Sequence, residues 1–525
     1  METLYRVPTV WDDALDGTLG ERMLASSVRP LHPAETLAER VHRAFQGIPD
    51  ASLGELLRDV RAASRQEGLV YVRKGAREVV TAFAEPLVVS PAQLRYLKTV
   101  AWTIDGAFRR LAAIYLADPQ VRDLLRLPPE EEEWLRESWT PRHVESNPIY
   151  ARHDAAVDFA APDWKESLRF IETNMNGVGG VHLLPAAERV VETVMLPAID
   201  PAGRLRLRRG GDMRHLLWRE MMRHLVAIGR DGRRICFVEF DDGGSGPDEQ
   251  PEVARYLEKR FGAKICRAAP AELTLRGNEV RCRGEVVDLV YRDCSLQELI
   301  SEQKKGADVS ALRALFRENR VLSGIAGELD QKAACEVLTD PDLCARHFNL
   351  AERRAFRRHV AWTRLLTDRT TVLPDGRKGD LFEFARRSRE WLVLKPNRGY
   401  GGYGIVVGAA AGRSTWDKAL DRAAREPGHW VVQSLVDLPV HEFPRLDGAG
   451  RVHREPYFCV MGFAPAGGEL AILGRASPRQ VVNVAQRGGL CAVVVGEGSV
   501  KQRLPRNSAR TAPTRPRTSG KRFMR

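Results

Sequence analysis

Two stretches decide how this chain reads: "RFIETNMNGVGGVH" (169–182) and "LVLKPNRGYGGYGIVVG" (392–408). In the first, Glu172 and Asn174 stand two apart in a segment that reads as a strand, so both side chains leave the same face. A carboxylate and an amide oxygen on one face suit Mg²⁺, a hard ion that takes oxygen ligands in near-octahedral geometry. The second stretch reads as a strand, a glycine turn and a second strand, with Lys395 ending the first strand. Glycines let backbone N–H groups approach an anion closely. By letter, "GYGGYG" (399–404) fits G-x-G-x-x-G, but a dinucleotide fingerprint needs a helix next, and "IVVG" is strand-like. No G-K-[ST] follows, so it is not a Walker loop. On its own the hairpin reads equally as a phosphate cradle or as a plain turn beside an exposed lysine.

Outward from these, "YARHDAAVDFA" (150–160) and "LRFIETNMN" (168–176) predict two strands joined by a short loop, which sets Arg152 and Asp154 beside Glu172 and Asn174. A glycine loop and a helix near 185–195 follow. "RICFVEF", "PEVARYLEKRFG" and "AKICRA" predict a strand, a helix closed by Gly262, and a second strand. "ELTLRGNEVRCRGEVVDLVYRD" alternates like a hairpin leading into a buried strand, completing a small Rossmann-like unit over 234–295. Its "DDGGSGP" (241–247) is expected to be a loop and not a dinucleotide site. Helices are expected at 91–118, 128–139, 296–320 and 351–368, and further strands at 429–436, 457–463, 469–475 and 489–495. The glutamates of "PPEEEEWLRESW" (128–139) and the arginines of 352–358 read as solvated faces. His182 reads as structural.

At 525 residues the chain exceeds one simple core, and about two to four domains are expected. Its hydrophobic content of 43% and charged content of 29% are those of a soluble globular protein. No run of about 18 apolar residues marks a membrane span, and the acidic N-terminal stretch does not read as a signal peptide. The eight cysteines are scattered without a C-x-x-C pair, which favours reduced thiols and a cytoplasmic location over disulfides or zinc. The net charge of +12 is largely a tail property, because residues 501–525 carry nine Lys or Arg and no acid. That Pro-, Ser-, Thr- and Arg-rich tail is expected to be disordered. The rest lacks aromatic–basic interleaving, so neither a nucleic-acid nor a membrane partner is expected.

Taken together, the motifs resemble the circularly permuted ATP-grasp group, similar to glutathionylspermidine synthase and its relatives. The resemblance covers roughly residues 140–500. "VLKPNRGYGGYGIVVG" is similar to the ATP-grasp lysine and small glycine loop, and "GELDQKAACEVLTD" (327–340) to the earlier lysine on a helix, here Lys332. "HWVVQSLVDLPVHEF" (429–443) resembles the link between the two halves of the grasp. The resemblance makes Gln433 an adenine contact and Glu442 a ribose contact, although Ser434 stands where many relatives carry an acid. "LGRASPRQVVNVAQRGG" (473–489) is similar to the R…N…GG element of glutathione synthetase-like enzymes, with Arg475 and Asn483 facing the transferred phosphate. Arg152 with Asp154, and Glu172 with Asn174, match the last elements of the family's site, here encoded first.

The resemblance implies an α/β (α+β) chain of five parts. These are a mainly helical region (1–140), the permuted metal-binding part of the core (141–200), a Rossmann-like domain preceding the grasp (201–325), nucleotide-binding subdomains (326–500), and the tail. It implies an ATP-dependent carboxylate–amine ligase working through an acyl phosphate. Arg475, Asn483 and Arg152 would be catalytic. Lys332, Lys395, Gly401, Gly402, Gly404, Gln433 and Glu442 would hold ATP. Asp154, or Asp158 in its place, would hold Mg²⁺ with Glu172 and Asn174. The substrates would be a small carboxylate and an amine: an amino acid, peptide or polyamine. A non-catalytic nucleotide-binding scaffold and a phosphotransferase that stops at a phosphorylated product are the alternatives.

Overall fold

The computed structural model describes residues 36–240, 246–484 and 488–497. The tail and most of the 241–247 loop lie outside the described residues. Among the described residues three larger sheets, three small ones of two or three strands and the helices around them make a mixed α/β architecture.

An eight-stranded sheet organises the molecule. Its main path runs Ala82–Val89, Gly489–Val495, Glu469–Ser477, Val452–Ala466, Arg152–Ala156, Arg169–Asn174, so strands encoded more than 300 residues apart lie side by side. Gly462 pairs with Asp154 in antiparallel register, and Asp154 in turn pairs with Glu172, and Arg152 with Asn174. The two strands expected at 150–174 therefore form as a pair. Only the first contact on that path, Ala82–Val89 against Gly489–Val495, is parallel.

Ala82–Val89 is buried along its whole length, so the region before residue 140 is not simply helical. A strand covered on both faces shows no alternation, and Glu85 and Pro86 interrupt its apolar run, which hid it in the sequence. The helix Pro91–Ala117 follows. Ser90 accepts from the Gln93 N–H in a capping box with Pro91 in the first turn, the combination that starts a helix well. Its Leu97, Val100, Ile104, Phe108 and Leu111 recur at helical spacing and are buried in one cluster with Met461 and Phe463 of the large sheet.

The same helix aligns the site. Arg109 pairs with Asp105 (2.6 Å) and Glu220 (2.9 Å). It also donates to the carbonyls of Asn147 (3.1 Å) and Ile149 (2.6 Å), clamping the chain just before the Arg152–Ala156 strand.

The second sheet is parallel and four-stranded, ordered Val321–Leu322, Leu289–Asp293, Arg234–Glu239, Lys264–Ala268. Its two central strands, Arg234–Glu239 and Leu289–Asp293, are largely buried apolar runs, and helices such as Met213–Ala227 and Gln250–Phe261 flank the sheet. The hairpin Leu273–Arg276 with Glu279–Cys282 forms where the alternation placed it. The third sheet, Thr363–Leu365, Trp430–Ser434, Leu392–Pro396 and Val406–Val407, is antiparallel. Its core joins Leu392, Leu394 and Val432 to Trp416 and Leu420 of the helix Arg413–Arg425.

Two expected helices are shorter than their patterns. The 351–368 helix stops at His359, and Thr363–Leu365 becomes an edge strand instead. Residues 296–320 divide into Leu296–Lys304 and Ser310–Arg317. Among the described residues no helix is long and apolar enough to cross a membrane.

Candidate functional site

A cavity of about 1300 Å³ is lined by residues of all three larger sheets. Arg152, Asp154, Glu172 and Asn174 line it from one pair of strands, Lys395, Gly401 and Gly402 from the glycine hairpin, and Gln433, Arg475 and Asn483 from three further segments. Residues as far apart in sequence as Tyr71 and Leu490 thus line one cavity.

Asp154 is the hub. It accepts from Arg152 Nε (2.9 Å) and Nη2 (3.2 Å) and from Asn174 Nδ2 (3.3 Å), and it pairs with Arg475 Nη2 at 2.8 Å. Burial pushes its carboxyl up, but the two guanidinium groups outweigh burial and hold it well below the usual carboxylate range. Gly462 makes room for this pair: a Cβ there would sit 2.6 Å from Arg152 Cδ and 3.0 Å from Asp154 Oδ1. Arg475 Nε is a buried donor with no hydrogen-bond partner among the described residues, so this guanidinium has capacity left for an anion.

Glu172 Oε1 meets Lys332 Nζ at 3.0 Å. Lys332 does not line the cavity and is not on a helix; it sits in the turn before Ala334–Thr339. Its Nζ also donates to the Gly399 carbonyl (2.9 Å), which ties that turn to the glycine loop. Lys395 is buried and donates to Gln433 Oε1 at 2.7 Å. Burial pulls its ammonium down to about 8, against the opposing pull of the Glu172 charge. Gln433 also donates to the Ile171 carbonyl (3.1 Å) and to Thr363 Oγ1 (2.8 Å). Its side chain thereby positions Lys395 and joins the sheets.

The glycine loop is a hairpin, with Val393 opposite Val407 and Leu394 opposite Val406. Gly401 (φ +71°), Gly402 (+73°) and Gly404 (+74°) occupy left-handed backbone that disfavours side chains. Gly404 lies at the loop's return, outside the lining. Its base is held by residues the sequence reading passed over. Asn397 accepts from the Ala333 N–H (2.9 Å) and donates to Gln331 Oε1 (2.9 Å). Arg398 donates to Glu131 through Nη1 (3.0 Å) and Nη2 (2.6 Å). Glu131 is therefore buried, unlike the solvated glutamate its helix pattern implied.

Other expected residues fall elsewhere. Glu442, the expected ribose contact, is exposed on the strand Val440–Leu446 and does not line the cavity. Asp158 is also outside the lining, with its carboxylate accepting from the Ala160 N–H. His182 is buried against the Glu67 carbonyl (2.8 Å), a structural placement. The loop 175–182 does line the cavity, through Asn176, Gly177, Gly179 and Gly180. Glu249 fixes it by accepting from the N–H groups of Gly180 (2.7 Å), His182 (2.7 Å) and Leu183 (3.1 Å). Asp248, Asp293 and Glu298 line that same end, so it is acidic where the Lys395 end is basic.

No family model and no curated protein matches the chain. Among solved structures it is similar to a glutathione synthetase-like effector from Globodera pallida in its apo form, with 11% identity and a TM-score of 0.59. The match covers 85% of this chain and 97% of that one. At this identity the likeness concerns the fold: the mixed α/β architecture is glutathione synthetase-like.

Proposed function

We propose that this protein is an ATP-dependent carboxylate–amine ligase with a circularly permuted ATP-grasp core. The observation that carries the reading is the charge balance at one end of the cavity. Arg152, Lys332, Lys395 and Arg475 gather there against two carboxylates, Asp154 and Glu172. A buried excess of positive charge, with a spare donor on Arg475, suits a polyanion such as a triphosphate. The pairing of Arg152–Ala156 with the late strand Val452–Ala466 supports the permuted order, since a site assembled in space does not depend on which strand is encoded first.

The residues fit Mg²⁺ as well. One oxygen of Glu172 meets Lys332 and the other has no hydrogen-bond partner among the described residues. Asn174 spends its amide nitrogen on Asp154, which leaves its carbonyl oxygen available. Glu172 and Asn174 would hold the ion, with Asp154 fixed between the arginines behind them, and the ion would neutralise charge on the nucleotide phosphates.

Lys395 holds phosphate oxygens, Lys332 adds positive charge from behind Glu172 and the glycine loop, and the loop over Gly401 and Gly402 covers them. A substrate carboxylate attacks the γ-phosphate in line, releasing ADP and giving an acyl phosphate; positioning and charge neutralisation dominate such transfers. Arg475 stabilises the moving phosphoryl group and then the acyl phosphate, with Arg152 and Asn483 beside it. An amine held at the acidic end attacks the acyl carbon, phosphate leaves, and an amide remains. Exclusion of water by the loop protects the intermediate from hydrolysis.

The test is calorimetry of Mg²⁺-dependent ATP binding in wild type, Lys395→Ala and Glu172→Ala. Binding that requires Mg²⁺ and is lost in both variants supports the reading; unchanged Mg·ATP binding in Glu172→Ala defeats the metal assignment. Release of ADP and phosphate with mixed amino acids and polyamines then separates a ligase from a nucleotide-binding scaffold.

A further inference from the structure

The eight cysteines are dispersed along the chain, but the fold gathers three of them. Cys236 and Cys266 are register partners on adjacent parallel strands, Arg234–Glu239 and Lys264–Ala268. Cys282 ends the hairpin strand Glu279–Cys282. The three Sγ atoms all lie within 4.8 Å of one another. None of the three lines the cavity described above.

We propose that Cys236, Cys266 and Cys282 form a three-thiolate site for Cu(I). Thiolates select soft ions, and the choice among them follows from ligand number. Among the described residues no histidine or carboxylate joins this group to supply a fourth ligand. Structural zinc is almost always four-coordinate and tetrahedral, so three sulfurs leave it one ligand short. Cu(I) is satisfied by three sulfurs. The surroundings are mainly apolar: Cys236 and Cys282 are buried in one cluster with Val238, Ala268, Leu273 and Val280. Cys266 is half-buried and gives the ion an approach from solvent. Binding releases the thiol protons to solvent, and the nearby Arg283 offsets part of the resulting negative charge.

The site ties two strands of the parallel sheet to the hairpin that follows it. Its occupancy therefore fixes the hairpin whose neighbours Arg267 and Arg283 line the large cavity.

The experiment is an anaerobic titration of the full chain with Cu(I) against a chromophoric Cu(I) chelator, in wild type, Cys266→Ser, Cys282→Ser and the remote control Cys344→Ser. One Cu(I) per chain is expected in wild type and in the control. Affinity should fall by at least about tenfold in each of the other two variants, since even outer-shell changes at metal sites cost roughly that much. Because a core variant can fail to fold, wild type is also alkylated with and without Cu(I) and mapped by mass spectrometry. Selective protection of Cys266 and Cys282 by the ion supports the site. Equal Cu(I) affinity in all variants, no protection of these cysteines, or tight binding of Zn²⁺ with none of Cu(I), would each overturn it.

Discussion

Replacing Lys395 with methionine separates what this residue does for the site from what it does to the fold. An ammonium buried without an ion-pair partner opposes folding. Its value of about 8 in the folded protein against 10.5 for a free lysine corresponds to about 3 kcal/mol, at 1.36 kcal/mol per pH unit. The sign follows from proton counts. Below pH 8 both folded and unfolded chains carry the proton, and the folded state bears the full cost. Between pH 8 and 10.5 the unfolded chain keeps the proton and the folded chain releases it, so stability rises with pH in that window. Lys395→Met removes this rise. It also strands Gln433 Oε1, the acceptor at 2.7 Å, at a cost of about 1–3 kcal/mol that does not vary with pH.

The two proteins should therefore be nearly equal in stability at pH 7. Wild type should gain about 3 kcal/mol over the variant by pH 10.5. Urea unfolding of both proteins at half-unit pH steps reads this out, because groups common to the two cancel in the difference. Parallel stability curves across pH 7–10.5 would refute the reasoning: Lys395 would then be no more costly to bury charged than to expose. The same charge predicts ATP affinity in wild type that weakens as pH rises through about 8, where the ammonium loses its proton.

Three further substitutions probe how the site is held. Arg398→Ala removes the bidentate tether to Glu131; ATP affinity should drop about tenfold, the equivalent of one charged hydrogen bond, with faster proteolysis within 397–405 and an unchanged far-UV spectrum. Gly404→Ala forces a Cβ to 2.9 Å from Pro396 Cγ at φ +74°; a loss of about 1–2 kcal/mol in stability is expected, with weaker ATP binding by calorimetry. Arg109→Met leaves Asp105 and Glu220 buried together without their shared cation. It should cost roughly 3–5 kcal/mol in urea unfolding, and much of that loss should be recovered in a triple variant that also carries Asp105→Asn and Glu220→Gln.

What the sequence disclosed and what it hid divide along a physical line. Glu172 with Asn174, and Arg152 with Asp154, were legible because a strand's two-residue period forces both members of each pair onto one face. The glycine hairpin was legible because only glycine accepts the backbone its turn requires. The hold of Gln433 on Lys395 was not legible because a strand end offers two faces and sequence alone does not say which way the side chain turns; three hydrogen bonds commit it inward. Glu131, Asn397 and Gly462 carry no local signal at all. Their roles exist only once a helix near residue 130, a loop near 397 and a strand near 462 come together. The same holds for the thiols of Cys236, Cys266 and Cys282. Residues that the fold brings to the cavity could thus be named from pattern, while those that aim them could not. This gives the two classes different signatures: changes at Glu172 or Lys395 should abolish binding in a protein that still folds, whereas changes at Arg109 or Gly462 should weaken folding and binding together.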